Sequence, residues 1–172
     1  ECERVFRLCE EGRVTIGGAD RRLDNIMIIG YVPLDERPVN TRYPQMLAEI
    51  AGIELLLPPR EILSEWRTPA QTDALVEWLD EYGGACDVLA VSCEMLGYGS
   101  LIQSRISHEP AGTILRRLEV LRRLKAGKPD VRILGFSLIT RISRSNDAGE
   151  EPDYWAEYGA RMFRYSQLFD RA

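Results

Sequence analysis

Four short apolar runs alternate with four stretches of helical periodicity from residue 25 onward, and this alternation limits the possible folds more than any other feature of the chain. The runs are 26–32, 53–57, 87–96 and 131–139. The third is nearly all apolar, as a strand buried on both faces requires. A first helical pattern covers about 43–51 and ends at Gly52. A second starts at Thr68-Pro69-Ala70-Gln71, with Thr68 placed to cap and Pro69 suited to the first helical position. Its Leu75, Trp78, Leu79 and Tyr82 share one face, and Gly83-Gly84 ends it.

A third pattern opens at Pro110, with Ile114, Leu115, Leu118, Leu121 and Leu124 as an apolar stripe and Glu119 to Arg123 as an expected ion pair. The last runs from Pro152 to about Phe169, where Trp155, Tyr158, Met162, Tyr165 and Phe169 recur at helical spacing and are expected to pack against a sheet. Strand and helix repeated four times predict an α/β fold, a parallel sheet of about four strands with covering helices. A Rossmann-like open sheet and the first half of a (β/α)₈-like barrel both satisfy the order. Residues 1–24 read as a weakly structured leader or small hairpin, and 25–172 as the α/β domain. The start at Glu1 and the stop within a helical pattern suggest that both ends are cut.

Composition excludes several function classes. The 172 residues suit one domain, and the longest apolar runs fall far short of the roughly 20 residues of a membrane helix. A net charge of −5 argues against a broad nucleic-acid or anionic-membrane footprint. Only two of the 22 basic residues, Lys125 and Lys128, are lysines. Almost every cationic contact must therefore come from a planar, bidentate guanidinium, and Schiff-base chemistry is disfavoured. The four cysteines, Cys2, Cys9, Cys86 and Cys93, form no CxxC motif. No signal-peptide pattern is visible in 1–24, and a reducing, cytoplasmic setting is expected.

In parallel α/β folds ligands bind at the carboxyl ends of strands. Four loops are expected to converge there: 33–42, 58–66, 93–105 and 140–147. The first reads Pro33-Leu34-Asp35-Glu36-Arg37-Pro38-Val39-Asn40-Thr41-Arg42, with two carboxylates, two guanidinium groups, an amide and a hydroxyl on a backbone stiffened by prolines. The third adds Glu94, Tyr98, Ser100 and Arg105 around two glycines, and the fourth adds Arg141, Ser143, Arg144, Ser145 and Asn146. Asp35, Glu36 and Glu94 are the candidate catalytic carboxylates, serving as acid and base if two of them stand about 5 to 9 Å apart. Binding of a hard cation such as Mg²⁺ is the alternative use of the same oxygens. Arg37, Asn40, Thr41, Arg42, Tyr98, Ser100, Arg105 and Arg141 are the candidate substrate-binding groups, suited to an anionic or polyhydroxylated small molecule. The competing account is structural: Asp35 and Glu36 neutralise Arg37 and Arg42 within a rigid turn.

No zinc or dinucleotide signature is present. His108 is the single histidine and stands at a helix start, while Gly-Tyr-Gly-Ser at 97–100 matches neither a P-loop nor GxGxxG. The leading expectation is a hydrolase-type enzyme, glycosidase-like or metal-assisted. A non-catalytic ligand-binding or assembly module, or an inactive fragment, is the alternative. The first loop extended through Tyr43-Pro44, the segment Met95-Leu96-Gly97-Tyr98-Gly99-Ser100-Leu101-Ile102-Gln103-Ser104-Arg105, and Glu151-Pro152-Asp153-Tyr154-Trp155-Ala156-Glu157-Tyr158-Gly159 together resemble an uncharacterised bacterial family, domain of unknown function 4127. The resemblance runs from about Ile26 to the end and implies no particular reaction. Members are substantially longer, so the resemblance implies that this chain is the amino-terminal part of a longer protein. This chain carries Cys93-Glu94 where the family pattern commonly has an aspartate before Met-Leu.

Overall fold

The computed structural model describes residues 26–171, so the expected leader at 1–24 lies outside the described residues, with Cys2 and Cys9. Strands β1 (Ile28–Val32), β2 (Glu54–Leu56), β3 (Val88–Ser92) and β4 (Arg132–Phe136) form one parallel sheet in the order β2-β1-β3-β4. The α/β architecture is thus as expected. The order selects the open sheet, because a barrel half keeps consecutive strands adjacent and here β3 lies beside β1. Among the described residues six α-helices accompany the sheet: α1 (Arg42–Ala51), α2 (Thr72–Tyr82), α3 (Cys93–Tyr98), α4 (Leu101–Ile106), α5 (Ala111–Gly127) and α6 (Trp155–Asp170). Among the described residues no helix is long and apolar enough to cross a membrane.

The core explains why β3 reads as an unbroken apolar run. It has a strand on each side, and Leu89 and Val91 are fully buried with Val32 of β1, Leu75 and Leu79 of α2, Met95 and Leu96 of α3 and Val120 of α5. Each such side chain contributes about 1.5–3 kcal/mol by leaving water. Close approach of β1 depends on Gly30, where a Cβ would stand 2.6 Å from Leu89 Cδ2 and 2.9 Å from Cys86 Sγ.

Several expected boundaries move, each for a local reason. Thr68 caps no helix. Its backbone closes a two-residue turn with Glu65, and α2 starts four residues later at Thr72. The amides of Ala70 and Gln71 donate instead to Gly99 O and Ile62 O at 2.9 Å each. The third run turns helical at Cys93 instead of continuing as strand to Leu96, because Ser92 Oγ accepts the Met95 amide and caps α3. The fourth run leaves the sheet after Phe136, where the Leu138 amide is drawn to Glu94. On α5, Ile114 and Val120 are buried and Leu118, Leu121 and Leu124 pack partly against the core, while Leu115 faces solvent. Glu119 pairs with Arg122 rather than Arg123, which reaches across to Asp80.

The largest difference lies in α6. Trp155 is buried, but Tyr158, Met162, Tyr165 and Phe169 are exposed rather than packed on the sheet. The helix is fastened to the preceding segment instead: Trp155 Nε1 donates to Ser145 O at 2.9 Å, and the Ala160 amide donates to Asn146 Oδ1 at 2.7 Å.

Candidate functional site

At the carboxyl edge, the strand order places the exits of β1 and β3 side by side at the point where the chain direction of winding reverses, the usual ligand crevice of an open parallel sheet. The β1 exit is closed upon itself. Asp35 is 4% exposed and accepts from the Arg37 amide at 3.0 Å, Arg37 Nε at 2.9 Å, Arg37 Nη2 at 2.5 Å and Asn40 Nδ2 at 2.7 Å. Burial pushes its pKa up, but the hydrogen bonds from Arg37 and Asn40 and the Arg37 charge outweigh it, holding the carboxyl below its ordinary range. Thr41 Oγ1 donates to Arg37 O at 3.1 Å, and Arg42 pairs with Glu49 along exposed α1 at 3.3 Å. Asn40 and Thr41 therefore brace the turn from within.

Glu36 points away from Asp35 toward the 58–66 loop. Its Oε2 accepts from Ser64 Oγ at 2.5 Å and its Oε1 from the Trp66 amide at 2.8 Å. Trp66 has φ of 51°, the single non-glycine residue with positive φ among the described residues. For a bulky side chain that conformation costs on the order of 1–3 kcal/mol.

The exits of β3 and β4 enclose an open cleft of about 420 Å³. One wall comes from α3 and α4 and presents Cys93, Glu94, Tyr98, Ser104 and Arg105. The segment leaving β4 and the start of α6 form the other, with Ser137, Thr140, Arg141, Glu151, Tyr154 and Trp155 among its lining groups. Glu94 is 5% exposed and fastens the two walls. Its Oε1 accepts from Ser137 Oγ at 2.5 Å and the Leu138 amide at 2.8 Å, and its Oε2 accepts from Ser92 Oγ at 3.1 Å. Arg105 bridges the walls a second time, donating to Glu151 Oε1 and standing 3.9 Å from Glu150. Arg141 has no carboxylate partner among the described residues.

The hinge between α3 and α4 is Gly99, with φ of 94°. A Cβ there would meet Pro69 Cβ at 2.8 Å and the Ala70 amide nitrogen at 2.9 Å, so the turn before α2 seats directly against this glycine. Ser100 is buried and its Oγ accepts the Gln103 amide at 3.2 Å, which makes it the cap of α4 rather than a cleft group. Burial first, and then the Glu94 carboxylate, raise the Cys93 thiol above its ordinary pKa, and burial pushes Cys86 up to about 11, so both favour the thiol form.

The structure thus brings together Glu94, Tyr98, Arg105 and Arg141 of the sequence candidates. Asp35, Glu36, Arg37, Asn40, Thr41, Arg42 and Ser100 do not line this cleft. Sequence reasoning did not single out Ser137, Thr140 and Glu151. The last had a visible signal, a carboxylate directly before the helix-opening Pro152. Among the described residues no group of three or more His, Cys, Asp or Glu side chains is arranged to hold a metal ion, and the carboxylates facing the cleft are Glu94 and Glu151.

A family model described as protein of unknown function (DUF4127) matches residues 29–172. No curated protein and no solved structure matches the chain.

Proposed function

The chain belongs to the DUF4127 family, whose description names no reaction, and from its own geometry we propose that it binds a small anionic or polyhydroxylated molecule in the cleft between β3 and β4. The observation that carries this reading is the Arg141 guanidinium, which meets no carboxylate among the described residues and is set in a 420 Å³ cleft beside the hydroxyl groups of Tyr98, Ser104, Ser137 and Thr140. A permanently charged, bidentate donor without a carboxylate partner suits a carboxylate or phosphate, and hydroxyl groups suit either an anion or a polyol. The hydrolase reading rests on one further observation. Glu94 and Glu151 line the same cleft, and a carboxylate pair is the machinery of glycoside hydrolysis. A cytoplasmic setting belongs to the same proposal, supported by Cys86 and Cys93 both being free thiols.

The test is a thermal-shift screen against divalent metals, neutral sugars, and phosphorylated or carboxylated metabolites, run on wild type, Arg141→Ala and Arg37→Ala. A ligand at 100 times its Kd adds about 2.7 kcal/mol of stability. The expected result is a shift lost in Arg141→Ala and kept in Arg37→Ala. A shift lost in Arg37→Ala and kept in Arg141→Ala would move the ligand to the β1 exit and overturn the proposal.

A further inference from the structure

Trp66 occupies the first central position of a two-residue turn closed by the Glu65 amide to Thr68 O at 3.0 Å and the Thr68 amide to Glu65 O at 2.8 Å. Such a turn demands positive φ at that position, which glycine, asparagine and aspartate adopt with little strain. A tryptophan is among the least suited residues for it. Burial does not compensate, for Trp66 is 57% exposed and its ring stacks on no other ring among the described residues. A strained backbone holding an exposed ring is a feature that folding alone leaves unexplained.

The turn is also fixed to both walls of the cleft. Glu36 holds the Trp66 amide, and the side-chain amide of Gln103, next to Ser104 and Arg105, donates to Arg67 O. The Arg67 guanidinium donates to Ala148 O at 3.0 Å and Gly149 O at 2.9 Å, just before Glu151. The turn that carries the ring is therefore tied to Glu36 and to segments of both walls, just outside the residues that line the cleft.

We infer that Trp66 is a stacking platform for the ring of a sugar or sugar acid entering this cleft; the inference rests on the ligand-binding reading and narrows it to the polyhydroxylated class. A pyranose has an apolar C–H face that suits an indole, and an edge of hydroxyl groups that suits a carboxylate such as that of Glu65 beside it. Nucleobases also stack on indole, and adenosine serves as the probe for that class.

The experiment titrates D-glucose, D-galactose, D-glucuronate and adenosine into wild type, Trp66→Asn, Trp66→Phe and Arg141→Ala. Binding is followed by saturation-transfer NMR and tryptophan fluorescence, and Tm is measured for each variant. At least one sugar is expected to bind wild type. Trp66→Asn should weaken that sugar about tenfold or more, with Tm unchanged or raised, because asparagine tolerates positive φ better than tryptophan does. Trp66→Phe should keep most of the affinity. Unchanged sugar binding in Trp66→Asn overturns the platform, as does a lowered Tm, which would mark the ring as packing. Binding of adenosine alone overturns the sugar class. Arg141→Ala losing sugar binding while Trp66→Asn keeps it would leave the cleft standing and remove only the platform. If wild type binds a sugar and neither variant weakens it, both readings fall.

Discussion

The exit from β1 and the cleft between β3 and β4 offer similar chemistry at the same edge of the sheet, yet their charges face different partners. In the first, Asp35 meets four donors, all from within two to five residues of itself. In the second, Glu94 reaches forward more than forty residues to Ser137 and Leu138, Arg105 reaches Glu151, and Arg141 meets no carboxylate among the described residues. Local density of charge supplies its own neutralisation, since a carboxylate turned inward must find donors and a stiff proline-bounded loop provides them nearby. Groups assembled from distant segments leave space between the segments. That space is where a ligand fits.

Glu94 is the sharpest place to press the comparison. Glu94→Ala removes the acceptor of the Leu138 amide and two hydroxyls, and should cost about 3 kcal/mol by urea denaturation, with faster hydrogen exchange at Leu138. Glu94→Gln retains an oxygen acceptor and should lose less. If Glu94→Ala is as stable as wild type, the two walls do not depend on this carboxylate.

Next in size is Asp35→Asn, expected to cost about 1.5 kcal/mol at neutral pH, a figure reduced because Arg37 stays half exposed. Its signature is the pH dependence. The folded-state pKa of Asp35 lies below the ordinary 3.8, so its stabilisation is complete above that value and is lost as pH falls through the folded pKa. Wild type should therefore lose stability on acidification below about pH 4, and Asp35→Asn should lose less over the same window. Parallel acid limbs in the two proteins would show that Asp35 is not held as its hydrogen bonds indicate.

The fold was legible where burial sets the pattern and less so where single hydrogen bonds decide. β1 and β3, and the α2 face of Leu75, Trp78, Leu79 and Tyr82, follow from apolar spacing because those side chains fill the core. The ends of β3 and β4 do not follow, for one is set by Ser92 capping Met95 and the other by Glu94 capturing Leu138. Strand order was equally hidden, since β1 lies between β2 and β3 through contacts that no local window contains. The spacing in α6 is helical, as read, but periodicity reports an apolar face without naming its partner, and Tyr165 and Phe169 face solvent. Of the candidate site residues, Glu94 and Arg141 were visible as polar groups after apolar runs. Glu151 and Ser137 join them only through tertiary contacts, beyond the reach of sequence spacing.

A smaller effect is expected at the outer clasp. Arg67→Ala loses the bonds to Ala148 O and Gly149 O, and should cost about 1 kcal/mol while raising hydrogen exchange across 147–153. Unaltered exchange there would mean that Arg105 and Glu94 alone hold the wall.

Smallest of all is Arg42→Ala. Arg42 and Glu49 are both well exposed on α1 and stand 3.3 Å apart, so their pairing contributes at most about 0.5 kcal/mol and is screened by salt. Its value lies in ligand binding rather than stability. Arg42 carries the same charge as Arg141 at the same edge of the sheet, but its guanidinium runs back along the helix toward Glu49 instead of into the cleft. Affinity for any ligand that stabilises wild type should thus be unchanged in Arg42→Ala and lost in Arg141→Ala, measured by titration calorimetry at two salt concentrations. Loss in Arg42→Ala would break the comparison, because it requires the β1 exit to open and release its charges to the ligand.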